Sequence, residues 1–187
     1  LTSGLKSPVY VDCRKIMSFA KEREIIINSA INYLKINNID NEIIAGGETA
    51  GIPYAAYISE KLKKPMVYIR KKPKGFGINK QIEGDFHKNQ SALLIEDLAT
   101  DGGSKITFIN AMREAELKVK DIFVIFYYDI FDFKKSDLFK LNVKIHSLCT
   151  WKDIINYIEK NNLYTEKEIL DLKIFLSNPN KWRENNG

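Results

Sequence analysis

One stretch constrains the fold of this chain more than any other. Leu93-Leu94-Ile95 is an apolar run that passes directly into Glu96-Asp97, then Leu98-Ala99-Thr100-Asp101-Gly102-Gly103-Ser104. The pattern predicts a buried strand over 91–95, a turn over 96–103 and a helix over 104–115. Strand, turn and helix in that order form the unit from which open parallel sheets are built. Gly102 and Gly103 permit a tight turn and expose N–H groups. With the Thr100 and Ser104 hydroxyls and the helix N-terminus they would form an anion cradle, sized for one phosphate monoester. Neither GxxxxGK[ST] nor GxGxxG is present. Two carboxylates beside a phosphate cradle suit a sugar, because they accept hydrogen bonds from ribose hydroxyls and can hold Mg²⁺ through water. The plainer alternative is a solvated acidic turn before an N-capped helix.

The rest of the chain repeats the same alternation. Residues 21–37 place Ile25, Ile26, Ala30, Tyr33 and Leu34 near helical spacing. A short strand is expected at 42–45, broken by Gly46-Gly47, then a helix at 52–62 with Pro53 in its first turn. A strand follows at 66–70. Residues 71–85 hold Pro73, Gly75, Gly77 and Gly84 without apolar period, and read as a long loop or open hairpin. Strands at 121–128 and 142–148 come next. A helix at 151–161 follows Thr150 as N-cap, and Thr165-Glu166-Lys167-Glu168 is a capping box before a last helix. Residues 178–187 are polar and expected to fray. The expectation is one α/β domain spanning 1–187, its sheet mainly parallel and covered by helices on both faces. Ligands then bind beyond the carboxyl ends of the strands.

Charge sharpens this. The chain has 29 Lys and Arg against 24 Asp and Glu, a net +5. Residues 61–88 alone carry nine basic and two acidic residues, so the remainder is slightly acidic. The basicity is local and points to an anionic ligand. A nucleic-acid track would interleave aromatics among the basic residues over a longer span, and Phe76 alone is a poor case. The longest strongly apolar run, 122–128, is too short to span a bilayer. Two cysteines make no disulfide framework, which fits a reduced, cytoplasmic protein. Cys13, Cys149 and His146 read as structural residues and His87 as an exposed loop residue. Trp151 and Trp182 read as core and tail packing.

The 93–104 stretch resembles the phosphoribosyl-diphosphate (PRPP) signature of type I phosphoribosyltransferases: four apolar residues, two acidic, two variable, Thr, a small loop, then Ser or Thr. That resemblance implies a central, mainly parallel sheet flanked by helices, with a small hood built from N-terminal and late segments. It implies that Glu96 and Asp97 meet the ribose 2′ and 3′ hydroxyls and hold Mg²⁺ indirectly, through water and PRPP. Thr100, Asp101, Gly102, Gly103 and Ser104 would wrap the 5′-phosphate. Three more stretches are similar to the orotate branch of the family. Thr2-Ser3-Gly4-Leu5-Lys6-Ser7-Pro8-Val9-Tyr10 matches its substrate segment, with Lys6 at the base site. Tyr68-Ile69-Arg70-Lys71-Lys72-Pro73-Lys74-Gly75-Phe76-Gly77 matches its strand and mobile loop, with Arg70, Lys71 and Lys74 around the pyrophosphate. Ala45-Gly46-Gly47-Glu48-Thr49-Ala50-Gly51-Ile52-Pro53 matches its pyrophosphate loop. The helix that normally precedes the substrate segment in the family is not within this sequence.

The resemblance implies Mg²⁺-dependent transfer of ribose 5-phosphate from PRPP to orotate, with Lys74, Lys71 and Asp97 as catalytic residues. Lys6 and Thr100 would contact orotate. It also implies a homodimer sharing the 71–84 loop between subunits, with no nucleic-acid or membrane partner. The sequence departs from the family pattern at three points. Phe76 stands where the loop has His, Ala50 where the pyrophosphate loop has Lys, and Ile130 where an Arg after Asp129 reads orotate. Arg14, close in sequence to Lys6, is the candidate replacement. The alternatives are a phosphoribosyltransferase for another base, such as uracil or a purine, and a PRPP-binding regulator without catalysis.

Overall fold

The computed structural model describes residues 6–73, 81–100, 103–130 and 133–186. Its chain divides into two compact units, Cys13–Leu148 and the pair of segments Leu1–Asp12 and Cys149–Gly187.

Among the described residues the strands are β1 (Ile43–Gly47), β2 (Met66–Ile69), β3 (Ile82–Glu83), β4 (Ala92–Ala99), β5 (Asp121–Tyr127) and β6 (Lys144–Thr150). They form one sheet in the order β3-β2-β1-β4-β5-β6. β1 pairs in parallel with β2 and β4, and β4 in parallel with β5. Every residue of β1 is buried, as are the first five of β4 and the middle five of β5. Such continuous apolar runs are what a parallel sheet covered on both faces demands. β3 runs antiparallel to β2, with Ile69 opposite Ile82. The 71–85 stretch is therefore rooted as an open hairpin, one of the two forms expected.

Helices α1 (Ala20–Ile36), α2 (Gly51–Leu62) and α3 (Gly103–Glu114) lie close to the predicted ranges. On α1 the buried stripe is Ile27, Ala30, Ile31 and Leu34, while Ile25 is 65% exposed. The stripe is rotated from the expected one because Ile27 and Ile31 continue the 3–4 spacing of Ala30 and Leu34 better than Ile25 does. A short α4 (Asp137–Lys140), capped by Ser136, precedes β6. Tyr54 of α2 is wholly buried, and its hydroxyl donates to the Cys13 carbonyl at 2.6 Å.

One correction matters for function. The 96–103 turn is not where the sequence suggests. β4 continues through Glu96 and Asp97 to Ala99, paired with β5 as far as Tyr127. The acidic pair therefore lies on a strand, and adjacent strand residues point to opposite faces.

In the second unit, α5 (Trp151–Lys160) and α6 (Glu166–Ser177) each begin with a complete capping box, Thr150 with Asp153 and Thr165 with Glu168. The polar tail is not frayed: Pro179–Asn186 forms α7. Trp182 anchors it at 8% exposure, stacked edge-on against Phe175 and donating from Nε1 to Asp171. Arg183 also donates to the Lys6 carbonyl at 2.9 Å, tying the N-terminal segment to this unit.

Candidate functional site

The carboxyl ends of three adjacent strands, β2, β1 and β4, carry the motif residues. β1 ends in Gly46-Gly47 and turns at Glu48, whose peptide with Thr49 is cis. The Glu48 N–H donates to Ile69 of β2, and its carboxylate accepts the Lys71 N–H at 2.6 Å. The pyrophosphate-loop stretch is thus bonded to the first residue of the basic loop. Arg70 is held at that root too: its N–H donates to Gln81, and its Nη1 lies 3.6 Å from Glu83.

The two carboxylates of β4 have different fates. Asp97 faces outward with its side chain 14% exposed, and Arg14 reaches it, Nε 3.7 Å from Oδ2. Glu96 faces inward, only 6% exposed, and pairs with Lys105 of α3 at 2.9 Å. Lys105 is itself buried, and its Nζ also donates to the Leu98 carbonyl at 2.5 Å and the Ser104 hydroxyl at 3.2 Å. Burial pushes the Glu96 carboxyl above its ordinary range, opposed by the charge and hydrogen bond of Lys105. The inward carboxylate is accommodated because two facing residues have no side chain. A Cβ on Gly47 would overlap Glu96 Oε1 and Phe108, and one on Gly51 would overlap the Ile95 carbonyl and lie 2.7 Å from Glu96 Oε1. These glycines are required by packing against a carboxylate, as well as for any approach of their amides to a ligand.

The remaining expected residues are distributed as follows. Thr100 is half-buried just past β4, Gly103 opens α3, and Ser104 is exposed in its first turn. Lys6 is exposed in the other compact unit. Lys74, Asp101 and Gly102 lie outside the described residues, as does Phe76. Lys71 and Lys72 are exposed beside the strand ends. Much of the surrounding basicity is locally balanced: Lys61 meets Glu24, Lys63 meets Glu60, Lys64 meets Asp40 and Lys88 meets Glu116. The positive charge aimed at the strand ends is therefore narrower than the 61–88 count suggests.

His87 is exposed, and His146 pairs with Asp121 at 2.8 Å beside Tyr33, as structural residues do. Both cysteines are free; Cys13 is buried, and burial raises the Cys149 thiol above its ordinary range. Among the described residues no group of three or more His, Cys, Asp or Glu is placed to hold a metal, and no helix is long and apolar enough to cross a membrane.

Sequence reasoning missed Lys105 and Glu48. Lys105 had one available signal: it sits in the first turn of a helix, where a cation opposes the helix dipole unless a specific acceptor holds it.

No family model matches the chain. It is 44% identical over 190 residues to an orotate phosphoribosyltransferase of Roseobacter denitrificans, covering all of this chain and 84% of that protein. Among solved structures it resembles UMP synthase of Leishmania donovani, with a TM-score of 0.79 and 27% identity over 94% of this chain and 37% of that one. It also resembles orotate phosphoribosyltransferase of Aeropyrum pernix, with a TM-score of 0.73 and 26% identity, covering 88% of this chain and 90% of that one.

Two outcomes follow from the Glu96 pair. Lys105→Met leaves a buried carboxylate without its counter-charge and should cost about 3–5 kcal/mol of stability, read from denaturant unfolding. A loss below about 1 kcal/mol would contradict a tightly held pair. The second concerns pH. A carboxyl raised in the folded state stabilises fully below its unfolded value, and that contribution is lost as pH rises through the folded value. Glu96→Gln should therefore lessen the fall in stability on going upward from pH 4.5. Urea midpoints at stepped pH would test this, and parallel profiles for parent and variant would exclude it.

Proposed function

We infer the reaction from kinship and site together: the chain belongs to the orotate phosphoribosyltransferase family, a family of pentosyltransferase enzymes, and transfers ribose 5-phosphate from PRPP to orotate. The products are orotidine 5′-monophosphate and pyrophosphate, a step in de novo pyrimidine (UMP) synthesis. One observation carries the reading: the Gly46-Gly47 turn with Glu48, Arg70 with Lys71, and Asp97 with Thr100 converge at three adjacent strand ends. A pyrophosphate, a ribose and a 5′-phosphate need such neighbouring stations in that chemical order.

The proposed roles follow from what each group offers. Thr100, Asp101, Gly102, Gly103 and Ser104 receive the 5′-phosphate through hydroxyls and N–H groups at the start of α3. Asp97, the more open of the two carboxylates, accepts from the ribose hydroxyls. Arg70, Lys71 and Lys74 surround the pyrophosphate. Arg14 and Thr100 would meet the anionic base, a role that the family resemblance also gives to Lys6. Mg²⁺ suits this donor set: one accessible carboxylate favours a hard cation that keeps waters and takes further oxygens from the substrate. Bound there, Mg²⁺ would neutralise pyrophosphate charge. Asp97 would hold it through water, since Glu96 is engaged by Lys105.

The displacement at ribose C1 is dissociative. The C1–oxygen bond to pyrophosphate breaks with its electron pair leaving on oxygen, and the C1–nitrogen bond forms from the deprotonated ring nitrogen of orotate. No residue acts as nucleophile. The protein's contribution is positioning, and cations aimed at the charge growing on the leaving group. A cytoplasmic homodimer, with residues 71–84 of one subunit reaching the other's site, completes the proposal.

The direct test mixes the protein with PRPP, Mg²⁺ and orotate and follows the loss of orotate absorbance. Turnover is expected. Turnover only with another nucleobase would overturn the specificity, and PRPP binding without turnover on any base would make the protein a regulator. In the same assay Lys74→Ala should lower kcat by about a hundredfold or more while PRPP binding changes modestly; an unchanged kcat would remove the loop lysine from the mechanism. Arg14→Ala should raise the orotate KM, and an unaltered KM would end its assignment to the base.

A further inference from the structure

Lys105 presents an unusual arrangement for the first turn of a helix. Its ammonium has three hydrogens to donate, and three acceptors surround it: Glu96 Oε2 at 2.9 Å, the Leu98 carbonyl at 2.5 Å and Ser104 Oγ at 3.2 Å. These acceptors come from the two sides of the PRPP motif. Glu96 and Leu98 belong to the end of β4, and Ser104 to the start of α3. The lysine side chain is 7% exposed, so the bonds form where water does not compete.

Charge balance alone does not explain this lysine. A buried ion pair of this size is replaced by apolar side chains at little or no cost to stability. What apolar residues cannot do is fix a carbonyl on one side of a turn and a hydroxyl on the other to the same atom. Glu96 in turn fills the space left by Gly47 and Gly51, so the same atom is indirectly seated against the β1 turn.

We propose that Lys105 is a positioning residue: it joins the end of β4 to the first turn of α3 and so sets the Ser104 hydroxyl and the start of α3 for the 5′-phosphate of PRPP. The proposal rests on the PRPP reading above and assigns a device within that site. Lys105 touches no substrate. It acts through the Leu98 carbonyl and the Ser104 hydroxyl.

The deciding variant is the double replacement Glu96→Leu with Lys105→Met, which removes both charges and leaves none buried alone. Its thermal unfolding should match the parent's. Its affinity for PRPP with Mg²⁺, by titration calorimetry, should fall by about tenfold to a hundredfold, with the orotate KM unchanged. In the ligand-free protein, amide hydrogen exchange at residues 103–106 should be faster than in the parent. Parent-like PRPP affinity, or parent-like exchange at those amides, overturns the proposal. If the parent itself fails to bind PRPP, the functional reading falls instead, and the exchange rates alone decide the positioning role. Should the double variant not fold, Lys105→Arg keeps the charge but redirects the donors, and the same two readouts apply with the same outcomes.

Discussion

A carboxylate has been brought inside this protein, against the start of α3. Removing Glu96 from water costs several kcal/mol unless it is paired and hydrogen-bonded, and most of the local architecture answers that requirement. Lys105 supplies the counter-charge. Gly47 and Gly51 supply room, since a side chain at either would collide with the carboxylate or with β4. The pairing of β4 with β1 and β5 holds the strand straight through Glu96, so that the side chain is aimed inward and kept there. Four residues distant in sequence are thereby committed to one another.

The outward side of the same strand inherits its geometry. Because neighbours on a strand alternate, fixing Glu96 inward fixes Asp97 outward, toward Arg14. Two acidic residues adjacent in sequence thus differ: Glu96 is buried against Lys105, and Asp97 is partly exposed beside Arg14. This also settles an electrostatic difficulty visible in the sequence. Two carboxylates beside a phosphate cradle would repel the ligand, but one of them is neutralised from below by a lysine. The positive side of the site is trimmed in the opposite direction. Lys61, Lys63, Lys64 and Lys88 are matched by nearby acids, so part of the basicity of residues 61–88 is balanced locally.

How much of this could be read in advance depended on whether a signal was local. The alternation of strands and helices was legible because burial on both faces of a parallel sheet imposes continuous apolar runs, and β1, β4 and β5 obey that rule. The Thr150 N-cap and the Thr165 capping box were legible because a cap lies wholly within four residues, while Asp153 completing a box with Thr150 was not read. The end of β4 was not. Glu96-Asp97 looks like a turn locally, and only the partners on β5 and α3, far along the chain, convert it to strand. Lys105 carried only the weak signal of a cation in the first turn of a helix, because a lysine there reads as solvated unless its acceptors are known. The polar tail misled similarly. Its composition favours fraying, yet Trp182 finds Phe175 and Asp171 and makes α7. The motif residues themselves were legible as a set, but their division into inward and outward members was not.

The root of the basic loop follows the same logic as the acidic pair. A loop that presents cations to a polyanion must be free to approach it, yet its first and last residues must be placed accurately for the approach to be productive. The entry is fixed through Glu48, whose carboxylate takes the Lys71 N–H and whose own N–H is given to β2. The exit is fixed by the two-residue β3, by the bond from Arg70 to Gln81 and by the Arg70–Glu83 contact. Glu48 is therefore an acid whose carboxylate ties the end of β1 to the first residue of the basic loop. Glu96 is paired with Lys105, and Glu48 just past β1 accepts the Lys71 N–H. In both cases a carboxylate becomes a fastening, through the buried pair of Glu96 with Lys105 and through the exposed hydrogen bond from the Lys71 N–H to Glu48.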